Sequence, residues 1–371
     1  MIQFTITSVD IYSCILYGKN KNHYLYHVKV ADEIYLKRAL YLASLGKGHV
    51  APNPLVGSVI VYDGKIIGEG YHQKYGEAHA EVNAIHTVKD KSLLSKSTLY
   101  VNLEPCAHFG KTPPCSNLII EHNIPRVVIG CIDSFSEVAG KGIERMKKAG
   151  IDVTVGVLEK KSLELNQRFF TFHINKRPYI ILKWAQSANR FMDIERSEKQ
   201  KGIFWITQPE TKTLVHKWRA EEAGILVGRQ TIENDNPSLT CRDYAGNHPT
   251  RFIIDKDLKT NYADFTISKD GVKTYVFNQI ENKTINNIEY IQLSDFSVAS
   301  ILHEIYKLDI QSIIVEGGKY TLEQFINANL WDEARILTGI GSIENGSKSP
   351  NIDGELIENY KYGKDLVEIL R

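Results

Sequence analysis

The sequence predicts an α/β layer fold in two successive units. Runs rich in β-branched residues alternate with runs of helical period along most of the chain. The chain has 371 residues, a length that favours two domains over one. The strand pattern restarts at a proline, Arg177-Pro178, which sets the expected boundary between the units.

The first thirty residues, "MIQFTITSVDIYSCILYGKNKNHYLYHVKV", have no clear periodicity, and polar residues interrupt each apolar run. No basic n-region precedes a clean apolar stretch, which argues against a signal peptide. Segment 1–30 is therefore expected to be an extra arm or a translated upstream stretch outside both units. An interface strand is its rival, since "FTITSVDIYSCILY" has β-branched residues enough to pair. From Ala31, "ADEIYLKRALYLASLGKG" sets Ile34, Leu36, Ala39, Leu40 and Ala43 at helical spacing, and Gly46 and Gly48 end the run. "PLVGSVIVYDGKIIGEGYH" reads as a β-hairpin, because Asp63-Gly64 sits between β-branched runs. Ala78 to Val88 returns to helical period. "STLYVNLEPC" is a strand running into a proline, Cys115 to Asn123 a helix, and "RVVIGCID" a strand. "GIERMKKAGIDVTVGV" is a helix, a glycine stop and a strand. In the second unit "YIILKWAQS" is a strand, and "PETKTLVHKWRAEEAGILVG" a helix then a strand. "RFIIDKDL", "KTYVFN" and "SIIVEGG" are further strands. Glu281 to Ser300 is polar and ambiguous, and the tail after Gly339 offers no readable pattern.

Charge narrows the function classes. Lys and Arg number 45 and Asp and Glu 44, a net charge of +1. That argues against a broad surface for nucleic acid or anionic membrane, while leaving room for a basic pocket that takes one phosphate. Five cysteines form no disulfide framework in so long a chain, which points to a reducing, cytoplasmic setting. No apolar run reaches the length of a membrane span.

The chemistry concentrates in "EAHAEVNAI", residues 77–85, and "EPCAHFGKTPPC", residues 104–115. Zinc favours imidazole and thiolate ligands, and a catalytic site uses three protein ligands and one open position. His79, Cys106 and Cys115 would supply one imidazole and two thiolates. The metal would bring a bound water toward neutral pKa, and Glu81, two residues after His79, would carry its proton. A closed structural zinc site is the rival, with His108 as fourth ligand. Cys14, Cys131 and Cys241 have no such context and read as ordinary thiols.

Zinc nucleobase deaminases carry H-x-E followed by P-C-x-x-C. Here the gap from Cys106 to Cys115 is wider. With that spacing, "PCAHFGKTPPC", together with "PNPLVGSVIV" and "HAEVNAI", resembles the deaminase half of the bifunctional riboflavin-biosynthesis deaminase/reductase family. The resemblance implies a cytidine-deaminase-like three-layer domain over residues 31–176. His79, Cys106 and Cys115 would be its zinc ligands and Glu81 its proton shuttle. It also implies Asn53 at the pyrimidine, His72, His108 and Lys111 around the substrate, and Lys111 and Thr112 at its ribose or phosphate. One departure is visible. The family often continues the later strand as D-P-N-P, whereas this chain has Asp133-Ser134-Phe135-Ser136, so no role passes to Phe135.

The second unit places Glu316-Gly317-Gly318 and Gly228 after strands. Glycine there lets a ligand approach the backbone, and a following helix N-terminus suits phosphate. "RPYIILKWAQS", "WIT", "HKWRA", "GRQTIENDNPSLTCR" and "VEGG" together resemble the reductase half of the same family. That resemblance implies a dihydrofolate-reductase-like domain over residues 177–371 that uses NADPH. Gln186, Trp205, Thr231, Asp235 and Gly318 would lie along the cofactor. Arg219, Leu239, Arg242 and Glu316 would hold the substrate, arginine suiting its phosphate through a two-pronged fork. The family usually has S-[LMA]-D-G after the first strand, whereas this chain has Ser187-Ala188-Asn189-Arg190. A charge is lost, and arginine stands where a tight turn favours glycine. Ile203 replaces a serine often found two residues before the tryptophan.

These readings give a two-domain enzyme of riboflavin biosynthesis. Zinc-dependent hydrolytic deamination of a phosphoribosylamino diaminopyrimidinone precedes NADPH reduction of its ribosyl group to ribityl. The expected partner is that small molecule, with no nucleic acid and no membrane, and homo-oligomerisation is left open. Two alternatives stand beside it: an active deaminase with an impaired reductase half, and a non-catalytic zinc-stabilised binding module.

Overall fold

The computed structural model describes residues 21–107, 113–133, 139–197 and 200–371. Helix α1 runs Lys21–Ser44, so it starts upstream of the expected Ala31 and takes in residues 21–30. Its buried stripe, Leu36, Ala39 and Leu42, packs on the sheet. A helix nucleated by that packing propagates upstream through residues that contain no proline or glycine. Residues 1–20 of the proposed arm lie outside the described residues.

Strands β1 (Gly57–Tyr62) and β2 (Lys65–Tyr71) form the expected hairpin. Asp63 and Gly64 take φ of 49° and 70°, the left-handed pair that a tight hairpin turn needs. Then follow α2 (Ala80–Thr87), β3 (Thr98–Leu103), α3 (Cys115–Glu121), β4 (Arg126–Cys131), α4 (Lys141–Lys148) and β5 (Asp152–Val155). The sheet order is β2-β1-β3-β4-β5, with β3, β4 and β5 parallel. Alternation along β1 sends Val59 and Val61 toward α1 and Ile60 toward α2, α3 and α4. Both faces are thus covered, giving three layers. Helices α5 (Glu159–Leu165) and α6 (Gln167–Asn175) close this unit. The sequence pattern did not single them out, and α6 is fixed by burying Phe169, Phe170 and Phe172.

The chain crosses to the second unit between α6 and β6 (Tyr179–Gln186). There follow β7 (Phe191–Ile194), α7 (Pro209–Glu221), β8 (Gly224–Gly228), α8 (Arg229–Asp235), β9 (Thr250–Ile254), β10 (Thr274–Asn278), β11 (Lys283–Ile285) and β12 (Ile288–Gln292). The remainder is α9 (Val298–Lys307), β13 (Ser312–Val315), α10 (Lys319–Asn327), β14 (Glu333–Thr338), β15 (Gly346–Lys348), β16 (Leu356–Tyr362) and β17 (Asp365–Leu370). Ten strands form one sheet in the order β11-β12-β10-β9-β8-β13-β6-β14-β17-β16. Its interior is parallel and its two edges antiparallel. The ambiguous stretch 281–300 holds the β11–β12 hairpin and the start of α9, whose N-cap Ser297 accepts from the Ser300 N–H. The unread tail supplies β15, β16 and β17. Asp365 opens β17, fully buried, and accepts from the Gln208 N–H at 2.8 Å and the Thr211 hydroxyl at 2.6 Å. It thereby holds the start of α7.

The units meet through a buried ion pair. Arg168 on α6 pairs with Glu222, which follows α7. Arg335 lies 3.6 Å from the same carboxylate and donates to Glu333 at 2.7 Å.

Candidate active sites

The first site forms at the carboxyl end of β3, where open parallel sheets commonly bind ligands. β3 runs into Glu104-Pro105-Cys106. The buried Glu104 carboxylate accepts from the N–H groups of Gly140 and Gly142 at 3.0 Å each and of Ile143 at 3.3 Å. A Cβ on Gly142 would lie 2.1 Å from the Pro105 carbonyl oxygen, so the backbone leading to Cys106 is tightly seated. His79 is the N-cap of α2 and Cys115 the first residue of α3. His79 Nδ1 stands 3.6 Å from Cys106 Sγ and 3.4 Å from Cys115 Sγ, and the three ligand atoms all lie within 4.8 Å of one another. Tetrahedral zinc with ordinary Zn–N and Zn–S bonds separates nitrogen from sulfur by about 3.6 Å. The donor set and its spacing therefore fit zinc. The Cys115 hydrogen bond, helped by His79, draws Cys106 well below the usual thiol range.

Glu81 sits in the first turn of α2 and is buried. Burial, reinforced by the Cys106 thiolate, lifts its carboxyl to about 6. A carboxyl poised there can both take and give a proton near neutral pH. His72 Nδ1 lies 3.1 Å from the Ala78 carbonyl, and His72 Nε2 lies 3.1 Å from Asn53 Nδ2. Donation from Nδ1 to the carbonyl leaves Nε2 as an acceptor for the Asn53 amide. The amide oxygen of Asn53 then remains to accept from a ring N–H. Burial lowers the His72 pKa, which keeps this neutral arrangement. The segment after Asn53 is stapled by Asn166, whose side chain accepts from the Leu55 N–H at 2.8 Å and donates to its carbonyl at 3.0 Å. Asn102 donates to the same carbonyl at 2.9 Å and accepts from the Gly57 N–H at 2.8 Å. Sequence reasoning missed Asn102, Asn166 and Glu104; single polar residues with distant partners leave no local signal. His108, Lys111, Thr112 and Phe135 lie outside the described residues.

The second site is a cleft of ≈ 430 Å³. Arg219, Leu239, Arg242 and Glu316, the expected substrate residues, all line it, as do Trp205, Thr231 and Asp235 from the expected cofactor set. Two expected cofactor residues do not. The Gln186 amide is satisfied inside the sheet, accepting from Trp184 Nε1 at 3.0 Å and donating to Thr338 at 3.1 Å. Gly318 is the exposed N-cap of α10, and a Cβ there would meet nothing within 4 Å. The neighbouring glycines are needed for packing instead. A Cβ on Gly317 would lie 2.5 Å from Thr321 Cβ, and one on Gly228 2.6 Å from Thr321 Oγ1.

The expected phosphate fork of Arg219 is engaged within the protein. Its Nε and Nη2 donate to the two Glu316 oxygens at 2.9 and 2.7 Å. Arg242 is exposed beside the cleft and donates to the Ser238 hydroxyl. Lys183 was missed, because a single lysine within "YIILKWAQS" reads as strand. It lines the cleft 3.5 Å from Glu316, and burial lowers its pKa.

The departures at the turn after β6 are accommodated. Arg190 adopts φ 66°, the left-handed conformation that favours glycine. Its side chain reaches Asn351 at 3.1 Å. Asn189 donates to the Ile343 carbonyl at 2.8 Å and accepts from the Ile343 N–H at 3.1 Å.

Comparisons with known proteins cover both units. Residues 29–131 match the cytidine and deoxycytidylate deaminase zinc-binding region, and residues 178–359 match the RibD C-terminal domain. The riboflavin biosynthesis protein RibD of Aquifex aeolicus is 37% identical across 92% of this chain and 98% of its own. The chain belongs to the RibD family of riboflavin-biosynthesis proteins. The Escherichia coli RibD is 33% identical over 81% of this chain and 86% of its own. A crystal structure of a diaminohydroxyphosphoribosylaminopyrimidine deaminase/5-amino-6-(5-phosphoribosylamino)uracil reductase from Thermotoga maritima superposes with a TM-score of 0.85. It is 35% identical and the match covers 93% of this chain and 99% of that one. Both halves of a RibD protein are therefore present: a cytidine-deaminase-like zinc domain and a RibD reductase domain. Among the described residues no helix is long and apolar enough to cross a membrane.

Proposed function

We propose that this RibD-family chain catalyses both reactions named for its Thermotoga maritima relative. It deaminates diaminohydroxyphosphoribosylaminopyrimidine and reduces the resulting 5-amino-6-(5-phosphoribosylamino)uracil with NADPH. The observation that carries the reading is the convergence of His79, Cys106 and Cys115 beside a buried Glu81. The units we assign are residues 31–176 for deamination and 177–371 for reduction, with residues 1–30 outside both sites. Five cysteines, two of them assigned to the metal, are too few for a disulfide framework in 371 residues and favour a reducing, cytoplasmic setting.

His79, Cys106 and Cys115 would hold zinc. Bound there, zinc supplies the Lewis acidity that activates a water at neutral pH. Glu81, buried in the first turn of α2, is placed to take a proton from the attacking water and would deliver it to the departing amine. Asn53, oriented by His72, fixes the pyrimidine edge. In the second site Arg242 meets the substrate phosphate, while Arg219 orders Glu316. Trp205, Thr231 and Asp235, which line the cleft, would hold NADPH, and that cofactor would supply the hydride for reduction of the ribosyl group. The accommodation of Asn189 and Arg190 disfavours the impaired-reductase alternative.

The discriminating experiment is Glu81→Gln in zinc-loaded protein. Ammonia release should fall by about 100-fold or more, with zinc content and fold retained. Undiminished release would remove Glu81 from the chemistry.

A further inference from the structure

The loop that carries Asn53 is seated on the other unit. Residues 46–53 leave α1, pass close to His72 and touch α7. A Cβ on Gly46 would lie 2.7 Å from the His72 carbonyl oxygen, and one on Gly48 2.2 Å from the Ala220 carbonyl oxygen. Gly48 also has φ 76°. Ala220 follows Arg219, which lines the reductase cleft. Two side chains of the second unit hold the loop's backbone. Asn247 Nδ2 donates to the Gly48 carbonyl at 3.0 Å. Gln311 Nε2 donates to the Pro52 carbonyl, immediately before Asn53. Gln311 is itself immobilised: it is buried, and its backbone carbonyl accepts from the Tyr179 N–H at 2.8 Å where β6 and β13 start. Within the loop, the Asn53 N–H donates to the Val50 carbonyl at 2.8 Å and the His49 carbonyl accepts from Tyr75 at 3.0 Å. A loop so braced transmits its anchoring to Asn53.

We propose that the reductase unit completes the deaminase site, with Gln311 and Asn247 as positioning residues for Asn53. Neither residue touches the pyrimidine; each fixes the backbone from which Asn53 reaches it. The inference rests on the reading that Asn53 holds the pyrimidine.

Gln311→Met keeps the side chain's length and removes the donor. In the full zinc-loaded chain it should raise the deamination KM about five- to tenfold, the worth of one net hydrogen bond, with kcat nearly unchanged. Zinc content should not change, and neither should the steady-state constants for reducing 5-amino-6-(5-phosphoribosylamino)uracil. Asn247→Ala, at an exposed position that tolerates substitution, should shift KM in the same direction by less, and it decides the matter if Gln311→Met folds poorly. Asn53→Ala is measured alongside. A raised KM in Asn53→Ala with unaltered constants in both positioning variants would overturn the inference. Parallel loss of both activities in Gln311→Met would also overturn it, because it marks a general folding role. Unaltered deamination in Asn53→Ala would remove the Asn53 reading itself, and the inference with it.

Discussion

The Arg219 guanidinium lies edge to edge with the Glu316 carboxylate, at 2.9 and 2.7 Å, at the wall of the second cleft. Burial alone would raise the Glu316 pKa, but Arg219 and then Lys183 bring it down to about 2. Glu316 is therefore an anion throughout the neutral range. Removing Arg219 leaves that anion buried with only Lys183 beside it. Arg219→Ala should lower stability, by less than the loss of a sole partner would because Lys183 stays 3.5 Å from the carboxylate, read as a lower midpoint in urea unfolding. A midpoint equal to that of wild type would show the pair to be dispensable.

Arg242 is expected to behave differently. It is exposed and has no carboxylate partner among the described contacts, so its loss should spare the fold. Arg242→Ala should raise the reductase KM by roughly tenfold or more, as expected for a charge-assisted hydrogen bond. Steady-state kinetics on the deaminated pyrimidine check this, and an unchanged KM would place the phosphate elsewhere.

Zinc removal should separate the two activities. His79, Cys106 and Cys115 lie on the first sheet's side of the chain, and no residue of the second cleft belongs to that cluster. Chelation followed by desalting should bring ammonia release to background while reduction of added 5-amino-6-(5-phosphoribosylamino)uracil continues. Zinc restored to the chelated protein should recover deamination. Loss of both activities would mean that the metal supports the whole fold.

The interface ion pair predicts an acid sensitivity. Burial would raise the Glu222 pKa, but Arg168 and Arg335 override it and hold it at about 2. An unfolded glutamate titrates near 4.3. A group depressed on folding contributes its stability above the unfolded value and loses it as pH falls toward the folded one. Glu222 should thus contribute about 3 kcal/mol at neutral pH, lost between pH of about 4.3 and about 2. Urea midpoints measured from pH 6 downward should fall less steeply for Glu222→Gln than for wild type. At pH 7 the variant should already be less stable, because Arg168 and Arg335 lose their shared partner. Identical slopes would contradict the assignment.

These residues also explain what the sequence discloses and what it hides. The Asp63-Gly64 hairpin is legible because turn geometry is decided by adjacent residues. His79, Glu81, Cys106 and Cys115 are legible as a set because few other chemistries use those residue types together in that order. Lys183 is hidden because one lysine in a strand usually keeps its charge in water. Asn166 and Gln311 are hidden because their partners, Leu55 and Pro52, are remote in the chain. The β11–β12 hairpin escaped because an edge strand buries one side only, leaving weak patterning between polar residues. Helix α1 begins early because residues 21–30 contain no proline or glycine, so the helix propagates past the point where apolar spacing stops.

The central claim is one chain performing two successive reactions, and a sequential assay on the full zinc-loaded protein tests it most directly. Ammonia is followed after adding diaminohydroxyphosphoribosylaminopyrimidine, and NADPH absorbance after adding the cofactor to the same solution. The account predicts ammonia release first, then NADPH oxidation equivalent to the ammonia formed. Ammonia without NADPH oxidation would contradict the bifunctional reading, and zinc retention with neither signal would contradict catalysis at the His79, Cys106 and Cys115 site.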